Sequence, residues 1–303
     1  MSAVKDISVL CVPFDLGAGR KGVRLGPHAI LQTGLERRLR GLGLQVEVLQ
    51  PFPVPPSGGD APAAGPGSLN HLDEVAGMNE SLAEAVWGIL SRGRFPLVLG
   101  GDHSVAIGTL AGLTSHLHSP GVIWFDAHSD LNTAQSSPSG NIHGMSLSAA
   151  LGLGHDRLVK IGGVSPKINP QHTVIIGARS LDPGEKELIR SLGIRCFTMH
   201  EIDRLGISRV TEEAIRIAGT GTDGIHVSFD IDSLDPAEAP GTGTPVRGGL
   251  SYREAHCALE MLHESLLVRS AEFVEVNPLL DTDNKTARLA AELILSLMGQ
   301  RIL

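Results

Sequence analysis

The chain has 303 residues, of which 42% are hydrophobic and 19% are charged, so it can bury a sizeable core and wholesale disorder is not expected. Its 33 acidic residues exceed its 25 Lys and Arg, which gives a formal net charge of -8, and no basic stripe indicates a nucleic-acid partner. Thirteen histidines outnumber the seven Phe, two Trp and one Tyr together. Because histidine is the commonest metal ligand, the composition raises the question of a metal site.

The cysteines and the first apolar segment bear on the expected location. Cys11, Cys196 and Cys257 are far apart and odd in number, so they predict no disulfide framework and favour a reducing, cytoplasmic location. Residues 7–12 form an apolar run that is too short to span a membrane and has no signal-peptide cleavage pattern. We therefore expect no membrane association.

In chain order, six short apolar segments predict strands that are buried on both faces, the pattern of a parallel sheet. They are residues 7–12, 97–99, 122–125, 174–176, 225–229 and 271–276. Segments with helical periodicity lie between them, including residues 72–89 and the final segment 285–298. This alternation predicts an α/β fold with a mostly parallel central sheet flanked by helices.

Two helix starts and one irregular segment complete this outline. Ser251 with Glu254 forms a capping-box pattern, and Asp182 before Pro183 predicts another N-cap. Residues 51–68 are rich in Pro, Gly and Ala, as in a linker. Only one predicted strand precedes them, so we interpret them as a surface excursion and expect residues 1–303 to form a single domain.

Acidic and histidine residues follow three of the predicted strands. The three sequences are Gly100-Gly101-Asp102-His103, Asp126-Ala127-His128-Ser129-Asp130 and Asp230-Ile231-Asp232. Ligands bind at the carboxyl ends of strands in such sheets, and the two-residue period of a strand can place alternate side chains on one face. Each motif alone is compatible with an ordinary turn or cap. Their joint occurrence at three strand ends predicts a metal site.

Four carboxylates in one crevice repel one another unless cations lie among them. Two histidines and four aspartates supply enough donors for two divalent ions, and an oxygen-rich set favours Mn²⁺ or a similar hard ion. Two such ions can bind and ionise a bridging water at neutral pH. The pattern therefore favours metal-assisted hydrolysis.

The combination of motifs resembles the ureohydrolase family of arginases and agmatinases, and the resemblance covers nearly the whole chain. The matching segments are 100–104, 126–130 and 228–236, together with 13–14, 22–27, 243–246, 248–249 and 275–278. The resemblance implies a three-layer α-β-α fold, two Mn²⁺ ions and hydrolysis of a guanidinium group to release urea by a metal-bridging hydroxide.

The resemblance also implies a ligand set, and all six matching positions are present. One ion would be held by His103, Asp126, Asp130 and Asp230, and the other by Asp126, His128, Asp230 and Asp232. Asp126 and Asp230 would bridge the two ions. Asp130 could also accept a hydrogen bond from the hydroxide and orient it.

Two further residues are assigned to the reacting group by the resemblance. Glu275, at the end of a predicted strand, would fix the plane of the guanidinium. His143 would donate or shuttle the proton that the leaving amine needs. Without the resemblance, both residues read as an ordinary strand-end acid and a loop histidine.

The choice of substrate depends on the residues that would hold the amino-acid end. Asn132 and the segment 139–141, with Ser139 and Asn141, resemble the arginase elements that bind a carboxylate. Asp182 matches a carboxylate near the α-amino group, and Thr244 matches a pocket position. Two departures, Ser180 where some arginases carry an acid and Ser146 where many carry proline, bear on substrate reach and loop rigidity.

These residues favour L-arginine, hydrolysed to L-ornithine and urea, as the substrate. The alternatives are an agmatinase or another amidinohydrolase and, from different classes, a metal-dependent deacetylase or a catalytically silent metal-binding protein. The expected partner is a small guanidino molecule, and the resemblance implies a homo-oligomer, either a trimer or a hexamer. We interpret His226 as a core histidine and nine others, including His256, as surface or capping residues.

Overall fold

The structure, a computed structural model, describes residues 6–50, 52–55 and 67–301. Within these ranges, eight strands form one parallel sheet in the order β2-β1-β3-β8-β7-β4-β5-β6. The strands are β1 (Asp6–Val12), β2 (Gln45–Val48), β3 (Phe95–Gly100), β4 (Pro120–Phe125), β5 (Thr173–Ala178), β6 (Arg195–Thr198), β7 (Gly224–Asp230) and β8 (Val268–Val274). The expected parallel sheet is confirmed.

Helices connect these parallel strands. The described ranges contain α1 (Gly26–Gln32), α2 (Leu35–Gly41), α3 (Leu72–Ser91), α4 (Ala106–Thr114), α5 (Ser146–Ala150), α6 (Asp156–Val159), α7 (Pro183–Leu192), α8 (Met199–Leu205), α9 (Ile207–Gly219), α10 (Tyr252–Ser265) and α11 (Lys285–Leu297). None of them combines the length and the apolar character that a membrane crossing requires.

The core lies in two layers, one on each face of the sheet. Along β4, Ile123 and Phe125 belong to the core shared with α9, α10 and α11, whereas Val122 and Trp124 belong to the core shared with α3 and α4. This division follows from the two-residue period of a strand, which sends successive side chains to opposite faces. The three-layer α-β-α arrangement is thereby confirmed.

The two edge strands, β2 and β6, have no counterpart among the six predicted strands. Each has only four residues and includes half-exposed or exposed positions, so neither shows the continuous apolar run of the central strands. The last strand also ends at Val274 rather than at residue 276. At that point Glu275 takes a positive φ of 65°, which takes the chain out of the extended conformation.

The predicted helix starts at Ser251 and Asp182 are confirmed. Ser251 caps α10 in a capping box with Glu254, and Asp182 is the N-cap residue of α7. Of residues 51–68, the predicted surface excursion, only 52–55, 67 and 68 lie within the described residues.

One histidine prediction is confirmed and another is wrong. His226 is fully buried in β7, where its Nδ1 lies 2.8 Å from Ser270 Oγ. His256, predicted as a surface or capping residue, is instead buried between helices, with its Nδ1 2.7 Å from Ser296 Oγ. His256 lies among the buried apolar residues of α10, so it is buried although the polarity of its side chain suggested an exposed position.

Candidate active site

The candidate site lies where four neighbouring strands in the middle of the sheet end. In sheet order these are β3, β8, β7 and β4, which are followed or ended by His103, Glu275, Asp230 and Asp126. Because the strands are parallel, their carboxyl ends meet at one edge. Motifs separated by more than a hundred residues in the chain therefore converge.

The first group of possible metal ligands surrounds His103. Its Nδ1 atom lies 3.4 Å from Asp126 Oδ2 and 3.2 Å from Asp230 Oδ2. The same nitrogen lies 3.0 Å from Asp130 Oδ2. The ligand atoms of His103, Asp126 and Asp230 are close enough together to hold one ion.

The second group surrounds His128 and shares Asp126 with the first. His128 Nδ1 lies 3.3 Å from Asp126 Oδ1 and 3.2 Å from Asp232 Oδ2. The two oxygens of Asp126 thus face different histidines, an arrangement that would allow this carboxylate to contribute to both ligand groups. We refer to the six predicted ligands as the metal floor; they are His103, Asp126, His128, Asp130, Asp230 and Asp232.

Hydrogen bonds on the far side of His103 determine which nitrogen faces the carboxylates without a proton. Its Nε2 lies 2.8 Å from Ser228 Oγ, and that hydroxyl donates its hydrogen to Glu272 Oε1 at 2.7 Å. The His103 Nε2–H must therefore be the donor, so Nδ1 of the neutral imidazole carries no proton and faces the carboxylates. This buried Nδ1 and the buried Asp130 Oδ2 have no hydrogen-bond partner among the described residues, and two such lone-pair atoms facing each other fit a cation.

The ring of His103 is also held by packing. It stacks on the indole of Trp124, with ring centroids 4.1 Å apart and planes at 9°. The indole Nε1–H donates to Asp126 Oδ2 at 3.0 Å. One side chain of β4 therefore orients two predicted ligands, because Trp124 precedes Asp126 by the two-residue period of a strand.

The charges on the metal floor are poorly compensated by the protein alone. Burial raises the pKa of Asp130 to about 7, and the nearby charge of Asp126 adds to this effect. Burial and repulsion from Asp232 and Asp126 likewise raise the pKa of Asp230 well above its usual range. Carboxylates whose ionised form is disfavoured in this way are stabilised by divalent cations. The donor set therefore fits two metal ions.

A cavity of about 260 Å³ opens above the metal floor. Its lining includes His128, Asp130, Asp230 and His143, as well as all the predicted substrate residues except Glu275. We refer to these lining substrate residues as the substrate rim; they are Asn132, Ser139, Asn141, Asp182 and Thr244. The cavity suits a ligand of roughly amino-acid size with several polar groups.

Asp182 of the rim is held from two directions. Its Oδ2 accepts a hydrogen bond from Asn132 Nδ2 at 2.9 Å, so two predicted substrate residues contact each other. Its backbone N–H donates to Glu185 Oε2 at 2.8 Å at the start of α7. The other oxygen of Glu185 accepts from Ser129 Oγ and from the backbone of Leu131, at 2.8 and 3.2 Å. The single buried carboxylate of Glu185 therefore links Asp182 of the rim to residues 129–131, the loop that carries Asp130 of the floor.

Thr244 makes a contact beyond the cavity position that the sequence indicates. Its hydroxyl donates to Asp232 Oδ2 at 2.9 Å, so it touches the metal floor as well as the cavity. Arg179 supports the same region, donating to the backbone carbonyls of Asp232 and Val246. The loop that carries Thr244 is thus tied to the second group of ligands.

Glu275 and His143 form a pair at the wall of the site. Glu275 Oε1 accepts from the backbone N–H of His103 at 2.9 Å and lies 3.0 Å from His143 Nδ1. Burial of the imidazole acts to lower the pKa of His143, but the hydrogen bond and charge of Glu275 outweigh it and raise the pKa to about 9. A cation beside Asp130 would lower this pKa, since like charges repel.

Two acidic residues of the site have strained backbones. Asp130 and Glu275 have φ values of 52° and 65°, in the left-handed region that residues with a Cβ atom rarely adopt. Each such residue costs on the order of 1–3 kcal/mol, which the surrounding structure must offset. Backbone contacts hold Glu275 in place, since its N–H donates to Gly101 O at 2.7 Å.

Several residues of the site were not singled out from the sequence. Glu185 stands three residues after Asp182, so the capping-box spacing was a signal that could have identified it. Ser228 and Asp102 lie inside the motifs but had no assigned part. Asp102 accepts hydrogen bonds from Gly17 and Ala18, fixing the loop beside His143. No local sequence pattern indicated Asn70, which contacts Ser139 and Asn141.

Comparisons with known proteins agree with this geometry. Residues 5–299 match the model of the arginase family. The arginase of Bacillus caldovelox is 55% identical over 303 residues, covering 99% of this chain and 100% of that protein. Its crystal structure superposes with a TM-score of 0.95, again with 99% and 100% coverage.

Two further structures extend the similarity. An arginase structure from Bacillus subtilis is 52% identical, with a TM-score of 0.93 and coverage of 99% of this chain and 100% of that chain. The Entamoeba histolytica arginase, solved in complex with L-ornithine, is 32% identical, with a TM-score of 0.90 and the same coverage. The resemblance of the motifs is confirmed, and the chain belongs to the arginase family.

Proposed function

We propose that this enzyme hydrolyses L-arginine to L-ornithine and urea with two Mn²⁺ ions. The observation that carries the proposal is the metal floor, two donor groups sharing Asp126, at the base of a cavity lined by Asp182. Relatives of 52–55% identity that are named arginases, each covering 99% of this chain, support the choice of arginine.

The floor and the wall act on the guanidinium end. The floor residues would hold two divalent cations, whose Lewis acidity would ionise water at neutral pH. Glu275 uses Oε1 for His103 and His143, which leaves Oε2 to accept hydrogen bonds from the planar guanidinium. Holding that plane beside the floor presents the guanidinium carbon to attack.

His143 completes the reaction by giving a proton to the leaving amine. Its imidazole is one-fifth exposed and lines the cavity, so it can reach both substrate and solvent. The hydrogen bond and the charge of Glu275 raise the pKa of His143 and so favour the protonated form that a proton donor needs. The oxygen of a water molecule joins the guanidinium carbon, and the bond from that carbon to the side-chain nitrogen breaks. The nitrogen receives one proton from the water and one from His143, and the second proton of the water returns to His143, so the products are the ammonium form of ornithine and neutral urea.

The rim selects the amino-acid end of the substrate. Asp182, Asn132 and Ser139 all line the cavity, so the carboxylate of Asp182 could hold an α-ammonium group and the neutral donors Asn132 and Ser139 could hold an α-carboxylate. Agmatine has no carboxylate and would therefore lack the hydrogen bonds that these donors can make to arginine. This difference favours arginine over agmatine, because hydrogen bonds to a charged group add to affinity.

The remaining features of the proposal concern the metal and the setting. The oxygen-rich donor set supports manganese over a metal ion that prefers thiolate ligands. The three free cysteines support a reducing, cytoplasmic location. By resemblance to the family, we propose a homo-oligomer, a trimer or a hexamer. We also propose that residues 1–303 act as one domain.

A urea-release assay tests the proposal. The purified chain is loaded with Mn²⁺ and given L-arginine, agmatine or guanidinobutyrate in parallel, and urea is measured against a metal-chelated control. We expect urea from arginine, with at least about 100-fold lower kcat/KM for the two others because each lacks one charged group that the rim binds. Urea from agmatine but not arginine would contradict the arginine assignment. No urea from any of the three would favour a deacetylase or a silent metal-binding protein.

A further inference from the structure

Asn70 lies outside every motif of the site, yet it is bonded to the loop 139–141 of the rim. Its backbone N–H donates to Gly140 O at 2.9 Å. Its side-chain Nδ2 donates to Ser139 O at 3.1 Å and to Asn141 Oδ1 at 2.8 Å. Three hydrogen bonds from one residue therefore reach three consecutive residues of the loop.

The contact with Asn141 decides the orientation of that side chain. Because Asn70 offers a donor, the Asn141 amide turns its oxygen toward Asn70, and its Nδ2 atom faces the opposite way. Gly19 packs on that nitrogen, where an added Cβ would lie 2.8 Å from Nδ2. Because Gly19 has no side chain, it can approach closely, and the Asn141 amide is held in place between Gly19 and Asn70.

The orientation matters because Asn141 lines the cavity. An amide whose nitrogen is directed away from Asn70 offers a donor to a bound anion, whereas the flipped amide would offer an acceptor and repel it. We propose that Asn70 is a positioning residue that holds the loop 139–141 and the donor end of Asn141 for the substrate carboxylate. This inference rests on the proposed function, since it assumes a substrate with that group.

His143 follows this loop but is fixed independently. Its backbone N–H donates to Gly17 O at 3.1 Å, and its ring is held by Glu275. Loss of Asn70 therefore disturbs the recognition of the substrate and spares the proton donor. The expected signature is a change in KM with little change in kcat.

Two variants of the full-length, Mn²⁺-loaded enzyme test the inference. Asn70→Ala removes the side-chain donors, and Asn70→Asp replaces them with acceptors that favour the flipped Asn141 amide. Asn169→Ala is the matched control, because Asn169 caps a short helical turn at Pro170–His172 and does not line the cavity. The measurements are KM and kcat for L-arginine, and inhibition constants for L-ornithine, which has a carboxylate, and for guanidine, which has none.

For Asn70→Ala we expect the KM of arginine and the inhibition constant of ornithine to rise about 5- to 20-fold, and further for Asn70→Asp. The kcat, the inhibition by guanidine and the manganese content should stay within about twofold of the parent. Asn169→Ala should match the parent throughout.

Three outcomes would overturn the inference. They are an unchanged KM, a guanidine constant that rises together with the ornithine constant, and a kcat that falls as far as KM rises. A parent enzyme that releases no urea would contradict the proposed function instead. In that case, ornithine affinity measured by calorimetry still decides the part that Asn70 plays.

Discussion

The metal floor and the substrate rim differ in how the fold supports them. Five of the six floor residues are buried, and each stands at or just after the end of a central strand. The rim residues lie on loops, and Ser139 and Thr244 are exposed. Rigid strand ends place ligands accurately, whereas loops depend on contacts such as that between Asn132 and Asp182. Substitutions in the two regions should therefore affect different kinetic constants.

The largest expected effect is that of Asp126→Asn, because both predicted metal groups share this carboxylate. We expect loss of at least one Mn²⁺ and a fall in kcat of about 1,000-fold or more, equivalent to several kcal/mol of lost transition-state stabilisation. Metal analysis and urea release measure the two effects. Asp156→Asn, which removes an exposed acid paired with Lys160, is the control and should be neutral. Full two-ion occupancy in Asp126→Asn would refute the bridging assignment.

An intermediate effect is expected from His143→Ala at the wall between the two regions. Removing a proton donor should lower kcat about 100- to 1,000-fold, while the manganese content stays that of the parent. Exposed His155 provides a matched control, since His155→Ala affects only the start of α6. Loss of metal from His143→Ala would show that this residue belongs functionally to the floor.

The smallest expected effect is that of Asp182→Asn on the rim. Losing one charge-assisted hydrogen bond should raise the KM for arginine about 10- to 50-fold, with kcat within about threefold. Asn is also a good N-cap, so α7 should keep its stability, as a thermal melt can verify. A fall in metal content or a collapse of kcat would remove the distinction between rim and floor.

The position of the floor could be derived from the sequence more directly than the contacts that hold the rim, for a physical reason. A floor residue is recognisable because it follows a continuous apolar run, as Asp126 follows residues 122–125. The partners of Asp182 and Asn141 come from distant segments, and no local pattern indicates that Asn70 would reach residues 139–141. Likewise, the central strands were predictable from burial, whereas the short edge strands β2 and β6 were not.

The positive φ values of Asp130 and Glu275 have a consequence for redesign of the enzyme. A procedure that selects residues by backbone preference would replace both acids with glycine, which tolerates this conformation without a steric clash. Such a protein would lose the backbone strain at both positions together with the two carboxylates on which the proposed chemistry depends, the usual exchange between stability and activity at functional sites. At positions 130 and 275, the proposed activity and a relaxed main chain therefore make opposite demands on the residue.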